Sequence, residues 1–124
     1  MAVIGHGVDL VDVEEVAALL KLSGDFLDRC FTEAERRRLT EIAASPERIA
    51  ARFAAKEAVL KCLGKGFGDG ISFQDVEVFT HQSGAPFVVL HGKARELSQS
   101  LGVGTWFVSL SHDGGKAIAS VIAT

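Results

Sequence analysis

Ile49-Ala50-Ala51-Arg52-Phe53-Ala54-Ala55-Lys56-Glu57-Ala58-Val59-Leu60-Lys61-Cys62-Leu63-Gly64 is the stretch that decides the fold. Projected at about 100° per residue, its apolar side chains fall on nearly every face, so it reads as a buried helix. Ser45-Pro46 supplies an N-cap and a proline at the first helical position, and Gly64 supplies the stop. This apolar helix nonetheless carries Arg52, Lys56, Glu57 and Lys61. Arg52 and Lys56 share one i, i+4 row, and Glu57 and Lys61 share another. Ionised groups are costly to bury without a partner, a metal or an anion. Structural salt bridges are the ordinary explanation of such charges. Three cations beside one carboxylate also suit a metal bridging to a phosphorylated ligand.

Upstream, residues 2–8 are β-branched and glycine-spaced and predict a short buried strand that ends at Asp9. Val13, Val16, Ala17 and Leu20 form a helical stripe over 12–22, with Asp12, Glu14 and Glu15 in the first turn, where the helix dipole favours negative charge. Thr32-Glu33-Ala34-Glu35 has capping-box spacing and opens a helix through Ile42. Downstream, 76–80 and 87–90 read as strands joined at Ser83-Gly84-Ala85-Pro86. A short helix covers 93–101, and strands over 105–111 and 116–123 flank the hairpin turn Asp113-Gly114-Gly115. Helices in the first half and strands in the second predict an α+β fold, one long buried helix packed on a small, mainly antiparallel sheet. With no repeat or linker, residues 1–124 read as a single domain.

Composition narrows the function. Apolar residues make up 48% and charged residues 23% of the 124, which excludes a disordered or fibrous chain. A formal charge of −3 gives no electrostatic case for nucleic acid. Cys30 and Cys62 match no metal or redox spacing and suit a reducing compartment. No signal peptide and no membrane-length apolar run is present, so a cytoplasmic protein is expected. Apolar content this high in a small chain also points to surface hidden in an oligomer.

Asp9, between an apolar strand and a helix, could serve as an N-cap or hold a metal. Mg²⁺ prefers one or two carboxylates and fills its other positions with water and phosphate oxygens, and Asp9 with Glu57 would supply that pair. Lys65-Gly66 belongs to a glycine-rich basic loop that could hold a phosphate through backbone N–H groups or serve only as a turn. It lacks the P-loop pattern. Ser111-His112-Asp113 is no hydrolytic triad, because adjacent strand residues point to opposite faces. His112, beside a tight turn, could contact a ligand or bond the turn. His6, His81 and His91 have no metal-ligand spacing.

Gly7-Val8-Asp9-Leu10-Val11, Phe31-Thr32 with Glu35, Arg52-Phe53-Ala54-Ala55-Lys56-Glu57-Ala58 with Lys61, and Ser109-Leu110-Ser111-His112 together resemble bacterial holo-(acyl-carrier-protein) synthase. The likeness in order and spacing spans essentially the whole chain. It implies a 4′-phosphopantetheinyl transferase fold, a homotrimer with active sites between subunits, and Mg²⁺ held by Asp9 and Glu57. It also implies that Lys61 contacts the coenzyme A phosphates, with Arg52, Lys56, Lys65, Gly66 and His112 toward the nucleotide end. The expected partner is an apo acyl carrier protein of fatty-acid or polyketide synthesis. One departure stands out. Glu15 occupies a position where the family commonly has an arginine facing the acidic carrier. Arg29, Arg36, Arg37 and Arg38, with Phe26 as an apolar contact, could supply that surface instead, or Arg36 to Arg38 could simply be a solvated face.

The implied reaction is attack by a carrier serine on the β-phosphate of coenzyme A, releasing adenosine 3′,5′-bisphosphate. Asp9, Glu57 and Lys61 would be the catalytic set, with the serine proton taken by Glu57 or by a metal-bound water. There are two rival readings: a Mg²⁺-dependent hydrolase of nucleotide pyrophosphates that uses the same carboxylates, and a non-catalytic module that binds acyl carriers, against which the Asp9, Glu57 and Lys61 set argues.

Overall fold

A computed structural model describes residues 2–22, 24–65 and 69–124. In chain order the elements are β1 (Gly5–Asp12), α1 (Val13–Leu22), α2 (Asp25–Cys30), α3 (Glu33–Glu41) and α4 (Pro46–Leu63). A 3₁₀ turn (Phe73–Asp75) follows, then β2 (Val76–Thr80), β3 (Pro86–Leu90), α5 (Gly92–Ser100), β4 (Trp106–Asp113) and β5 (Lys116–Ala123). The strands form an antiparallel sheet in the order β1-β5-β4 and a separate β2-β3 hairpin. The α+β expectation is met.

Local chemistry explains most boundaries. Ser45 Oγ accepts the Arg48 N–H at the start of α4, Pro46 stands in the first turn, and Gly64 closes the helix in the left-handed region at φ 71°. Thr32 and Glu35 exchange both bonds of the capping box on α3. Gly114 and Gly115, both at positive φ, make the two-residue turn between β4 and β5.

Two elements differ from expectation. The first strand starts at Gly5 and runs past Asp9 to Asp12, because its ladder with β5 continues to the pair Asp12–Lys116, where the two side chains meet at 3.0 Å. Asp9 is therefore a mid-strand residue. The six-residue α2 was not anticipated. It has no side-chain cap and is too short for a periodic signal; it forms because Phe26 and Cys30, one turn apart, are buried together.

The core explains why α4 must be apolar all round. It lies across the inner face of β1 and β5, where Gly5 and Gly7 oppose Cys62 and Ala58. A Cβ on Gly7 would lie 2.9 Å from the Ala58 carbonyl carbon and closer still to its oxygen, so helix and strand touch backbone to backbone. Ala54, Ala55, Ala58 and Val59 pack there with Ala119, Val121 and Ala123. A second cluster gathers Phe26, Phe31, Leu39 and Ile49, and Val11 and Leu110 touch both. Each fully buried Val, Leu or Phe contributes roughly 1.5–3 kcal/mol. The outer face of the same sheet is different: Val8, Leu10, Phe107, Ile118 and Ile122 lie exposed on it.

Candidate active site

Strand alternation points Asp9 to the same face as Gly5 and Gly7, toward α4. With α4 pressed onto β1 by those glycines, Asp9 meets the helix where Glu57 and Lys61 emerge. Lys61 Nζ donates to Asp9 Oδ1 at 3.1 Å and to the Val8 carbonyl at 2.8 Å. Glu57 is half-buried. Burial raises the pKa of its carboxyl above 4.5, the negative charge of Asp9 raises it further, and Lys61 pulls the other way. Asp9, Glu57 and Lys61 are thus brought into one cluster with two carboxylates and one ammonium.

That donor set fits a hard divalent cation. Two carboxylates are the number Mg²⁺ ordinarily takes from protein, and the electrostatic cost at Glu57 is the kind a cation relieves. Among the described residues no three His, Cys, Asp or Glu side chains converge into a metal cage, so phosphate and water would have to complete any coordination.

The other expected site residues fall elsewhere. Arg52 and His112 line a cleft of about 390 Å³ together with Arg38, Arg48, His81 and Ser111. Arg52 donates to the Arg48 carbonyl at 3.2 Å. Burial lowers its pKa from the usual guanidinium value, and the Arg48 charge lowers it further. Among the described residues neither arginine has a carboxylate within 4 Å, so the cleft favours an anion. Arg52 and Lys61 are nine residues apart on α4, which sets them roughly half a turn apart around the axis, on opposite sides of the helix. Lys65 lines a third location, a cleft against α5 with Lys93 and Glu96. Gly66 lies outside the described residues.

Lys56 requires correction. Its side chain has no exposed surface; Nζ pairs with Glu35 Oε1 at 2.7 Å and donates to the carbonyls of Phe73 and Val76. Three internal acceptors use all three N–H donors, so nothing remains for a phosphate. Glu35 in turn accepts the Val78 N–H through its other oxygen, 2.9 Å away. The pair is a core tie between α3, α4 and β2. Sequence reading saw Glu35 as a cap; a lysine on the apolar helix α4 that needed a buried counter-charge was the available signal.

The alternative docking surface also changes. Phe26 is buried against Phe31 and Phe53 and cannot serve as an exposed contact. Arg36, Arg37 and Arg38 pair with Asp28, Glu33 and Glu41 on the surface, which favours the solvated-face reading. Glu14 and Glu15 are exposed on α1.

Comparison with known proteins shows the family and the fold. Residues 5–120 match the family model of the 4′-phosphopantetheinyl transferase superfamily. The chain is 46% identical over 123 residues to a holo-[acyl-carrier-protein] synthase of Frankia alni, covering 99% of this chain and 98% of the relative. It is similar to the crystal structure of the Helicobacter pylori holo-[acyl-carrier-protein] synthase in complex with coenzyme A, with a TM-score of 0.83, 28% identity, and 96% and 99% of the two chains covered. The corresponding Neisseria meningitidis structure gives a TM-score of 0.88 at 26% identity, with 99% of each chain covered.

Proposed function

The chain belongs to the 4′-phosphopantetheinyl transferase superfamily, and on that footing we infer that it is a holo-[acyl-carrier-protein] synthase: it transfers the 4′-phosphopantetheine group of coenzyme A to a serine of an apo acyl carrier protein and releases adenosine 3′,5′-bisphosphate. The observation that carries the assignment to this site is the meeting of Asp9 with Glu57 and Lys61 where β1 and α4 touch through glycine.

Phosphoryl transfer asks a protein mainly for alignment and for charge opposite the leaving group. Lys61 is the ammonium placed to donate to the diphosphate oxygens. Asp9 and Glu57 are the residues that would hold Mg²⁺. When bound, Mg²⁺ supplies the charge that offsets the departing bisphosphate. Glu57 would take the proton of the attacking serine, directly or through a water.

The cleft of Arg38, Arg48 and Arg52 with His112 suits the phosphorylated nucleotide end of the coenzyme. It lies across α4 from Lys61, so one extended ligand reaches both sets most simply when they come from two copies of the chain. The apolar outer face of the β1-β5-β4 sheet gives such copies a surface to bury. These two features favour an oligomer with active sites between neighbours, and the form proposed is the C3 trimer that the family likeness implies, with residues 1–124 acting as one transferase domain. A cytoplasmic location accords with the two free, buried thiols. No described helix is long and apolar enough to cross a membrane.

The deciding experiment incubates the protein with coenzyme A, Mg²⁺ and an apo carrier protein and weighs the carrier. A carrier heavier by one phosphopantetheine supports transfer. Free phosphopantetheine with an unchanged carrier would indicate a pyrophosphate hydrolase, and no reaction with retained carrier binding would indicate a non-catalytic module.

A further inference from the structure

The Lys61 ammonium is tied to β1 twice, by Asp9 Oδ1 at 3.1 Å and by the Val8 carbonyl at 2.8 Å. The Asp9 side chain is 18% exposed, whereas that of Lys61 is 54% exposed, so the lysine has the more open path away from the contact. Lys61 therefore holds the same carboxylate that would bind a divalent ion.

We propose that Lys61 is a built-in counter-cation of Asp9, which opposes divalent-metal binding in the free protein and is released toward the diphosphate when metal and coenzyme bind together. The inference rests on the reading of Asp9 and Glu57 as the metal pair. A divalent ion held by Asp9 would set a double positive charge beside the ammonium bonded to the same carboxylate, an arrangement that is strongly repulsive in a partly buried site. Coupling of this kind is reciprocal: whatever Lys61 subtracts from metal affinity, the metal subtracts from the Lys61–Asp9 contact. A diphosphate adds negative charge that accepts the displaced ammonium and favours the ion. Metal and coenzyme should consequently bind better together than apart, with Lys61 as the reason. A lysine that acted only as a phosphate ligand would leave the metal affinity of the free protein unchanged.

The test measures Mn²⁺ binding to the intact protein by electron paramagnetic resonance, without and with coenzyme A, at one pH and ionic strength. Lys61→Met and Lys61→Gln are compared with Lys61→Arg and the unmodified chain, and circular dichroism verifies that each variant is folded. Without coenzyme, the Met and Gln variants should bind Mn²⁺ at least tenfold tighter than the unmodified protein, and Lys61→Arg should stay close to it. Coenzyme A should strengthen Mn²⁺ binding several-fold less in the Met and Gln variants. Equal or weaker Mn²⁺ binding in both, with the unmodified protein binding normally, overturns the proposal. No Mn²⁺ binding by the unmodified protein even with coenzyme A overturns the metal reading itself, and this inference with it.

Discussion

Gly7 and the Ala58 carbonyl are in backbone contact, with no space between them for a single methyl group. The Asp9–Lys61 bond depends on that contact: strand and helix run in opposite directions and lie close enough for the long Lys61 side chain to reach back along β1 to the Val8 carbonyl and Asp9. Gly7→Ala should destabilise the protein by about 1–3 kcal/mol or more, since backbone, unlike a side chain, cannot move aside. Its transfer rate should fall even where the protein is still folded. Denaturant melts together with turnover at low temperature check this, and a stable, fully active variant would show that the close approach is not what builds the site.

Glu35 and Lys56 are twenty-one residues apart and pair in the core at 2.7 Å. Removing one member leaves a buried, uncompensated charge, so Lys56→Met should cost about 3–5 kcal/mol. Replacing both, as Lys56→Met with Glu35→Gln, should cost less than the sum of the single changes. The ratio of kcat to KM at low temperature should change little in whatever fraction remains folded, because the Lys56 ammonium is buried and engaged by three internal acceptors.

Glu57 gives a pH signature. Its carboxyl titrates above 4.5 in the folded chain, by burial first and by the Asp9 charge second. A folded-state pKa above the unfolded one means that the folded protein holds the proton more tightly. The associated stability is fully present below about 4.5 and is lost as pH rises through the raised value. In chelator, Glu57→Gln should therefore gain on the unmodified protein across that window. Solvent screening of a half-exposed group keeps the gap below about 1 kcal/mol. Melting curves against pH that run parallel for the two proteins would contradict the strain assigned to Glu57.

The intersubunit reading predicts complementation. Asp9→Asn and Arg52→Ala chains should each be poorly active alone. Co-refolded in equal amounts, they should regain activity in about a quarter of the sites, the fraction pairing an intact Asp9 side with an intact Arg52 side under random assembly. No recovery, in an assembly shown by light scattering to have mixed, would place both residues in one chain's own site.

Much of this arrangement was legible in the sequence because it is local. Ser45, Pro46 and Gly64 mark both ends of α4, and its all-round apolar character requires burial. Asp9 and Glu57 stood out as charges in apolar settings. The partner of Lys56 was not legible, since an ion pair between helices leaves no spacing rule in the chain. The extension of β1 to Asp12 depends on a ladder with residues more than a hundred positions away. Arg52 and Lys61 were grouped as cations of one helix, although their spacing already set them on opposite sides of it.

The most direct measurement is the rate at which an apo carrier gains phosphopantetheine, followed by the mass of the intact carrier, for Asp9→Asn and Glu57→Gln at limiting Mg²⁺. The account predicts that each substitution slows transfer by about 100-fold or more while the melting temperature stays within a few degrees of the unmodified protein. Near-normal transfer by both folded variants would contradict it.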